Sequence, residues 1–135
     1  MPAIMADHDV QGQFSNLLHI LHSPPWRGIW DNLGITIETF ESMQLAMDAS
    51  DVLVWQACQR RQVILFPGNR NHESPDSLEA AIRMFNQVTS LPVITLSDPR
   101  RFNRDRAYAE RVAERLLEYL LDLDKHLGVG RLYVP

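Results

Sequence analysis

The chain is expected to fold as an α/β domain in which helices flank a mostly parallel sheet in three layers. Three observations point there. Apolar runs of four or five residues recur along the 135 residues, each short enough to be a strand. Longer segments with apolar residues at helical spacing lie between them. One run, Val63-Ile64-Leu65-Phe66, is apolar throughout, as a strand buried on both faces must be. Strands separated by helical crossovers return in the same direction, so the sheet is parallel.

Ala3-Ile4-Met5-Ala6 is the first strand and opens onto Asp7. Phe14, Leu17, Leu18 and Leu21 predict a helix over residues 11–22, which Pro24-Pro25 stops. Trp26 and Trp30, four apart, share a face of a short second helix. After Gly34, Ile35-Thr36-Ile37-Glu38-Thr39 alternates and is β-branched, hence a strand. Ser50 or Asp48 caps a helix that presents Val52, Leu53, Trp55 and Ala57 and ends near Arg60. Beyond the strand 63–66, Pro67-Gly68-Asn69-Arg70-Asn71 is loop chemistry. Pro75-Asp76-Ser77-Leu78-Glu79 starts a helix with Leu78, Ile82 and Phe85 as its apolar positions and Ser77 near its cap. Pro92-Val93-Ile94-Thr95-Leu96 is a strand that ends in Ser97-Asp98-Pro99. The longest helix is expected over residues 103–127, with an apolar stripe from Ala109 to Leu123, ended by Gly128 and Gly130. Arg131-Leu132-Tyr133-Val134 is a last strand.

Hydrophobic residues make up 45% and charged residues 22%, ordinary values for a folded chain with room for one core, so residues 1–135 are read as a single domain. The formal charge of −4 argues against a general polyanion binder. The total hides a split: residues 1–57 hold seven acids against Arg27 alone, and the remainder holds twelve bases against ten acids. Cys58 is the one cysteine, which leaves no intrachain disulfide and no cysteine-based zinc site. No apolar run approaches the roughly 20 residues of a membrane span. The first residues lack the basic and long apolar regions of a secretion signal, so a cytoplasmic protein without membrane contact is expected.

In open α/β sheets the ligand crevice lies beyond the carboxyl ends of the strands. Those ends carry Asp7 and Asp9, then Asn69 and Asn71, then Ser97 and Asp98, while Asp51 joins them from a helix start. Clustered carboxylates suit Mg²⁺ or Mn²⁺. Brought within about 5 Å, two carboxylates repel by roughly 3 kcal/mol at an effective dielectric of about 20, so the cluster needs a cation, a proton or an arginine. Arg70 is placed to bind a phosphate or to pair with Asp7 or Asp51 in a metal-free fold. His8, between two acids, is a base or ligand in one reading and an exposed turn residue in the other. Arg100, Arg101, Arg104 and Arg106 form the one dense basic cluster, suited to an RNA backbone, although Asp105, Glu110 and Glu114 are interleaved for ion pairs. Leucine excess on the final helix would serve a homodimer or a partner interface.

The stretch Ile4-Met5-Ala6-Asp7-His8-Asp9-Val10 resembles the first strand of PIN-like domains, and Ser50-Asp51-Val52-Leu53-Val54-Trp55-Gln56-Ala57-Cys58 resembles that family's second motif. Ile64 to His72 occupies the place of the third, where the family has an apolar strand followed by acids. The resemblance spans Ala3 to His72. It implies a metal-dependent ribonuclease, including the toxins of toxin–antitoxin pairs, with RNA as substrate and an antitoxin as partner. Carried over by position, Asp7 and Asp51 are metal ligands for Mg²⁺ or Mn²⁺, Asp98 matches a later acid, and Asn69 stands where a third acid is usual. Asp7, Asp51 and Asn69 are then the catalytic positions, with Asp9, Arg70, Asn71, Arg100 and Arg101 on the substrate. Asn69 ligates without adding negative charge, so the alternative is a non-catalytic PIN-like binding or interaction module.

Overall fold

Strands and helices alternate from the first residues onward in the computed structural model, which describes residues 2–69 and 77–135. The strands are β1 (Ala3–Ala6), β2 (Thr36–Glu38), β3 (Val63–Phe66), β4 (Val93–Leu96) and β5 (Arg131–Val134). The helices are α1 (Gln11–Leu21), α2 (Pro24–Leu33), α3 (Asp51–Arg60), α4 (Leu78–Phe85), α5 (Pro99–Arg104) and α6 (Arg106–Leu121). Single 3₁₀ turns cover His8–Val10 and Leu123–Lys125.

β1 pairs in parallel with β2 on one side (Ala3 opposite Thr36) and with β3 on the other (Ala3 opposite Val63). β4 pairs in parallel with β5, Val93 opposite Arg131. The two ladders meet just past β3, where Gly68 bridges Leu96. There the Leu96 N–H donates to the Pro67 carbonyl at 2.8 Å and the Asn69 N–H donates to the Leu96 carbonyl at 2.9 Å. The spatial order is therefore β2-β1-β3-β4-β5.

β1, β3 and β4 are buried at every residue, and their alternation divides the core in two. Ile4, Ile64, Phe66, Ile94 and Leu96 pack with Phe14 and Leu17 of α1, Trp30 of α2 and Leu116 of α6. Met5, Val63, Leu65 and Val93 pack with Val54, Trp55 and Cys58 of α3 and Ala81 of α4. Helices thus cover both faces of the strands, which is why these runs carry no polar alternation.

Local chemistry sets the boundaries. Pro24-Pro25 both ends α1 and opens α2, whose end is turned by Gly34 at φ 64°. Ser50 caps α3 by accepting the Leu53 N–H at 3.3 Å, and Ser77 caps α4 by accepting the Ala80 N–H at 3.2 Å. The expected strand over 35–39 shortens to Thr36–Glu38. The helix expected over 103–127 is two helices. Asp105 adopts an extended conformation (φ −131°, ψ 101°), ends α5, and caps α6 by accepting the Tyr108 N–H at 3.1 Å. α6 stops at Leu121; Leu116, Leu117 and Leu120 are buried, whereas Leu121 is 57% exposed. Among the described residues, no helix is long and apolar enough to cross a membrane.

Candidate functional site

From the central strand β1 the chain crosses to β2 on one side, and β3 lies on the other, so the order reverses between β1 and β3. Outgoing connections diverge at such a point and leave a crevice at the carboxyl ends of the strands. Asp7 is the first residue past β1 there. Its N–H donates to the Phe66 carbonyl at 2.9 Å, prolonging the β1–β3 ladder. Its side chain is buried, with the whole residue only 2% exposed. Asp7 Oδ1 accepts the His8 backbone N–H at 2.8 Å and lies 2.9 Å from His8 Nδ1. The His8 ring is partly exposed and stands edge-on to Phe40, 6.0 Å between centroids.

Asp9 is exposed and its carboxylate lies over Gly68. A Cβ at Gly68 would come within 3.0 Å of Asp9 Oδ2, 3.0 Å of Pro99 Cγ and 2.8 Å of Val10 Cγ1. Glycine is what lets the segments leaving β1, β3 and β4 close on one another.

Asp51, Trp55 and Cys58 recur at i, i+4 and i+7, so they share one face of α3. Burial pushes the Cys58 thiol up to about 12, and the nearby Asp7 carboxylate adds to the shift. Cys58 packs in one cluster with Met5 of β1 and Leu65 of β3, and Asp51 lies about two turns before it on the same face of α3. Asp51 Oδ2 accepts the N–H of Leu78, the first residue of α4, at 3.2 Å. A carboxylate suits a helix start, whose dipole end is positive.

The later positions serve other partners. Asn69 is exposed at the end of the β3 extension. Asp98 caps α5, Oδ1 accepting the Arg101 N–H at 3.1 Å, while its own N–H donates to Tyr108 Oη at 2.9 Å. Arg101 lies over the Tyr108 ring at 4.8 Å and its Nε donates to Asp105 Oδ2 at 3.1 Å. The Tyr108 N–H and then the Arg101 side chain hold the Asp105 carboxyl below the usual range. Burial pushes the Tyr108 hydroxyl up. Arg100 is exposed and has no ion pair among the described residues. Arg70 and Asn71 lie outside the described residues.

Asp7, Asp9 and Asn69 thus lie past the carboxyl ends of β1 and β3, and Asp51 stands at the start of α3. Among the described residues no three Asp, Glu, His or Cys side chains form a group able to hold a metal ion. The donors at Asp7 and Asp51 are hard carboxylate oxygens, the type Mg²⁺ and Mn²⁺ prefer. Sequence reasoning missed Tyr108, which anchors Asp98 and carries Arg101. The spacing Asp105-x-x-Tyr108, a cap three residues ahead of its donor, was the available sign. No protein-family model, curated protein or solved structure matches this chain.

Proposed function

We propose that this chain is a three-layer PIN-like domain that hydrolyses phosphodiester bonds in RNA with a Mg²⁺ or Mn²⁺ ion held by Asp7 and Asp51. The observation that carries the reading is Asp7 itself. A carboxylate is buried at 2% exposure at the end of the central strand, beside the point where strand order reverses. A buried carboxylate kept at a strand end beside such a crevice, and oriented by His8, marks a position suited to function. A cation bound there supplies an activated water and offsets charge on the phosphodiester. The chain's own residues hold and orient: Asn69 offers an amide to the substrate, Asp9 and Arg100 flank the entrance, and His8 braces Asp7 through its Nδ1. With an amide at Asn69 rather than a third acid, cation affinity falls without vanishing.

The test is a Mn²⁺ titration followed by melting and by RNA cleavage. A ligand specific to the native state at about 100 times its Kd stabilises by about 2.7 kcal/mol. We expect a saturable rise in melting temperature and Mn²⁺-dependent cleavage, both lost in Asp7→Asn. Folded wild type that neither shifts nor cleaves diverse RNAs overturns the reading.

One observation favours a second reading, a binding module that kept the fold without the chemistry. Asp51 and Asp98 already accept N–H groups at the starts of α4 and α5. That reading expects no Mn²⁺ shift at all.

A further inference from the structure

The basic cluster that the sequence places after Asp98 divides in the structure. Arg101 is engaged by Asp105 and Tyr108, whereas Arg104 and Arg106 turn to a separate pocket between α1 and the α5–α6 junction. This pocket has a volume of about 480 Å³ and shares no lining residue with the Asp7 end of the sheet. Its polar wall is Asn16 and His19 from α1 with Asn103, Arg104 and Arg106 opposite. Its floor is the buried apolar surface of Ile20, Phe102 and Ala109.

The charge in the pocket is net positive in effect. Asp105 is the acid in its lining, and both of its oxygens are occupied, Oδ1 by the Tyr108 N–H and Oδ2 by Arg101. Arg104 has no ion pair among the described residues. Arg106 meets Glu110 at 3.4 Å, an exposed i,i+4 pair of the kind that contributes little and exchanges readily. The first turn of α6 opens beside them. Asp105 serves the N–H groups of Tyr108 and Ala109, leaving those of Arg106 and Ala107 at the positive end of a 16-residue helix. Two guanidinium forks match phosphate geometry. The two asparagine amides and the apolar floor fit the base and sugar of a nucleotide, and the volume lies within the ordinary range for small-ligand sites.

We propose that this pocket binds the phosphate group of a nucleotide, either a free mononucleotide or one unit of an RNA strand. The site is independent of the cation chemistry proposed for Asp7, so its test is run in EDTA. Calorimetric titration uses a nucleoside 5′-monophosphate and a short single-stranded RNA as probes. The variants are Arg104→Gln with Arg106→Gln, and separately Asn16→Glu, which sets a carboxylate in the wall from an exposed position on α1. Arg27→Gln with Arg115→Gln removes the same charge from exposed helix surface elsewhere.

Wild type should bind at least one probe saturably, and both pocket variants should weaken it by about tenfold or more, with the control pair within about twofold. RNA bound much more tightly than the mononucleotide identifies a strand as the source. Equal affinity identifies the free nucleotide. No saturable binding of either probe, or an equal loss in the control pair, overturns the proposal. Unchanged melting temperatures of the pocket variants exclude misfolding as the cause.

Discussion

Cys58 is held where a thiolate has no water to stabilise it. It is 1% exposed on α3, and its thiol is pushed from an ordinary 9.0 up to about 12 by burial first and by Asp7 second. The unfolded chain gives up this proton near its ordinary value; the folded chain keeps it to about 12. Across that window the folded state binds more protons than the unfolded one. Stability therefore falls as pH rises through it, at a limiting slope of about 1.4 kcal/mol per pH unit, and is unaffected by this group below it. Cys58→Ala deletes the titrating group, so its stability should decline less between pH 9 and 11 than that of wild type, as read from denaturant midpoints. Curves that stay parallel over that range would show that Cys58 is not the source. The burial of Cys58 was legible from the helical pattern, but its closeness to Asp7 was not. Spacing along a chain says which face of α3 a residue occupies, not which strand residue that face meets.

At the scale of elements, Asp51 links two helices, since it opens α3 and its Oδ2 accepts the N–H that opens α4. This capping role and the proposed cation role respond differently to substitution. Asp51→Ala removes both and should cost about 1 kcal/mol, the usual price of a lost cap. Asp51→Asn keeps an accepting oxygen, so it should unfold near the wild-type midpoint while losing the Mn²⁺ response. Equal Mn²⁺ response in Asp51→Asn and wild type would remove Asp51 from the proposed cation site. Capping chemistry also marks how far the sequence could be read. Ser50, Ser77 and Pro24-Pro25 fall where their side chains predict. The misread element is the helix expected over 103–127. Its apolar stripe begins only at Ala109, so nothing in the periodicity marks the break at Asp105, whose side chain competes with the backbone for hydrogen bonds. The stripe runs on as far as Leu123, yet α6 stops at Leu121 with that residue exposed. The site reads in the same way. Positions at strand ends were legible for Asp7, Asp9, Asn69 and Asp98, whereas the partners of Asp98 and Arg101 depended on where α6 begins.

For the whole molecule, the question is what makes β5 part of the same cooperative unit as β1. The chain leaves β4, makes α5 and α6, and returns to add β5 at the edge of the sheet, so few residues near in sequence hold it there. Arg131 at the start of β5 supplies a tie across three elements. Its Nη1 donates to Thr95 Oγ1 of β4 at 2.6 Å, and Nη2 pairs with Glu79 of α4. Thr95 is fully buried and the Arg131 side chain is 15% exposed, so this interaction is poorly screened, while Glu79 at 46% retains access to water. The guanidinium is not wholly served, because Nε is buried without a partner among the described residues. Arg131→Met keeps the apolar stem and removes that orphan, but it leaves the Thr95 hydroxyl without its donor and Glu79 without its cation. A buried hydrogen bond to a charged group is worth about 1.5–3 kcal/mol, and the orphaned Nε offsets part of it, so the net loss should be about 1–2 kcal/mol. If β5 belongs to the cooperative unit, that loss appears as a lower denaturant midpoint with an unchanged m-value, and amide exchange quickens in β1 and β3 as well as in β4 and β5. If β5 merely frays at an edge, exchange quickens in β5 alone and the midpoint holds. The continuous backbone hydrogen bonding from Pro67 through Leu96 to the Val134 carbonyl favours the first outcome.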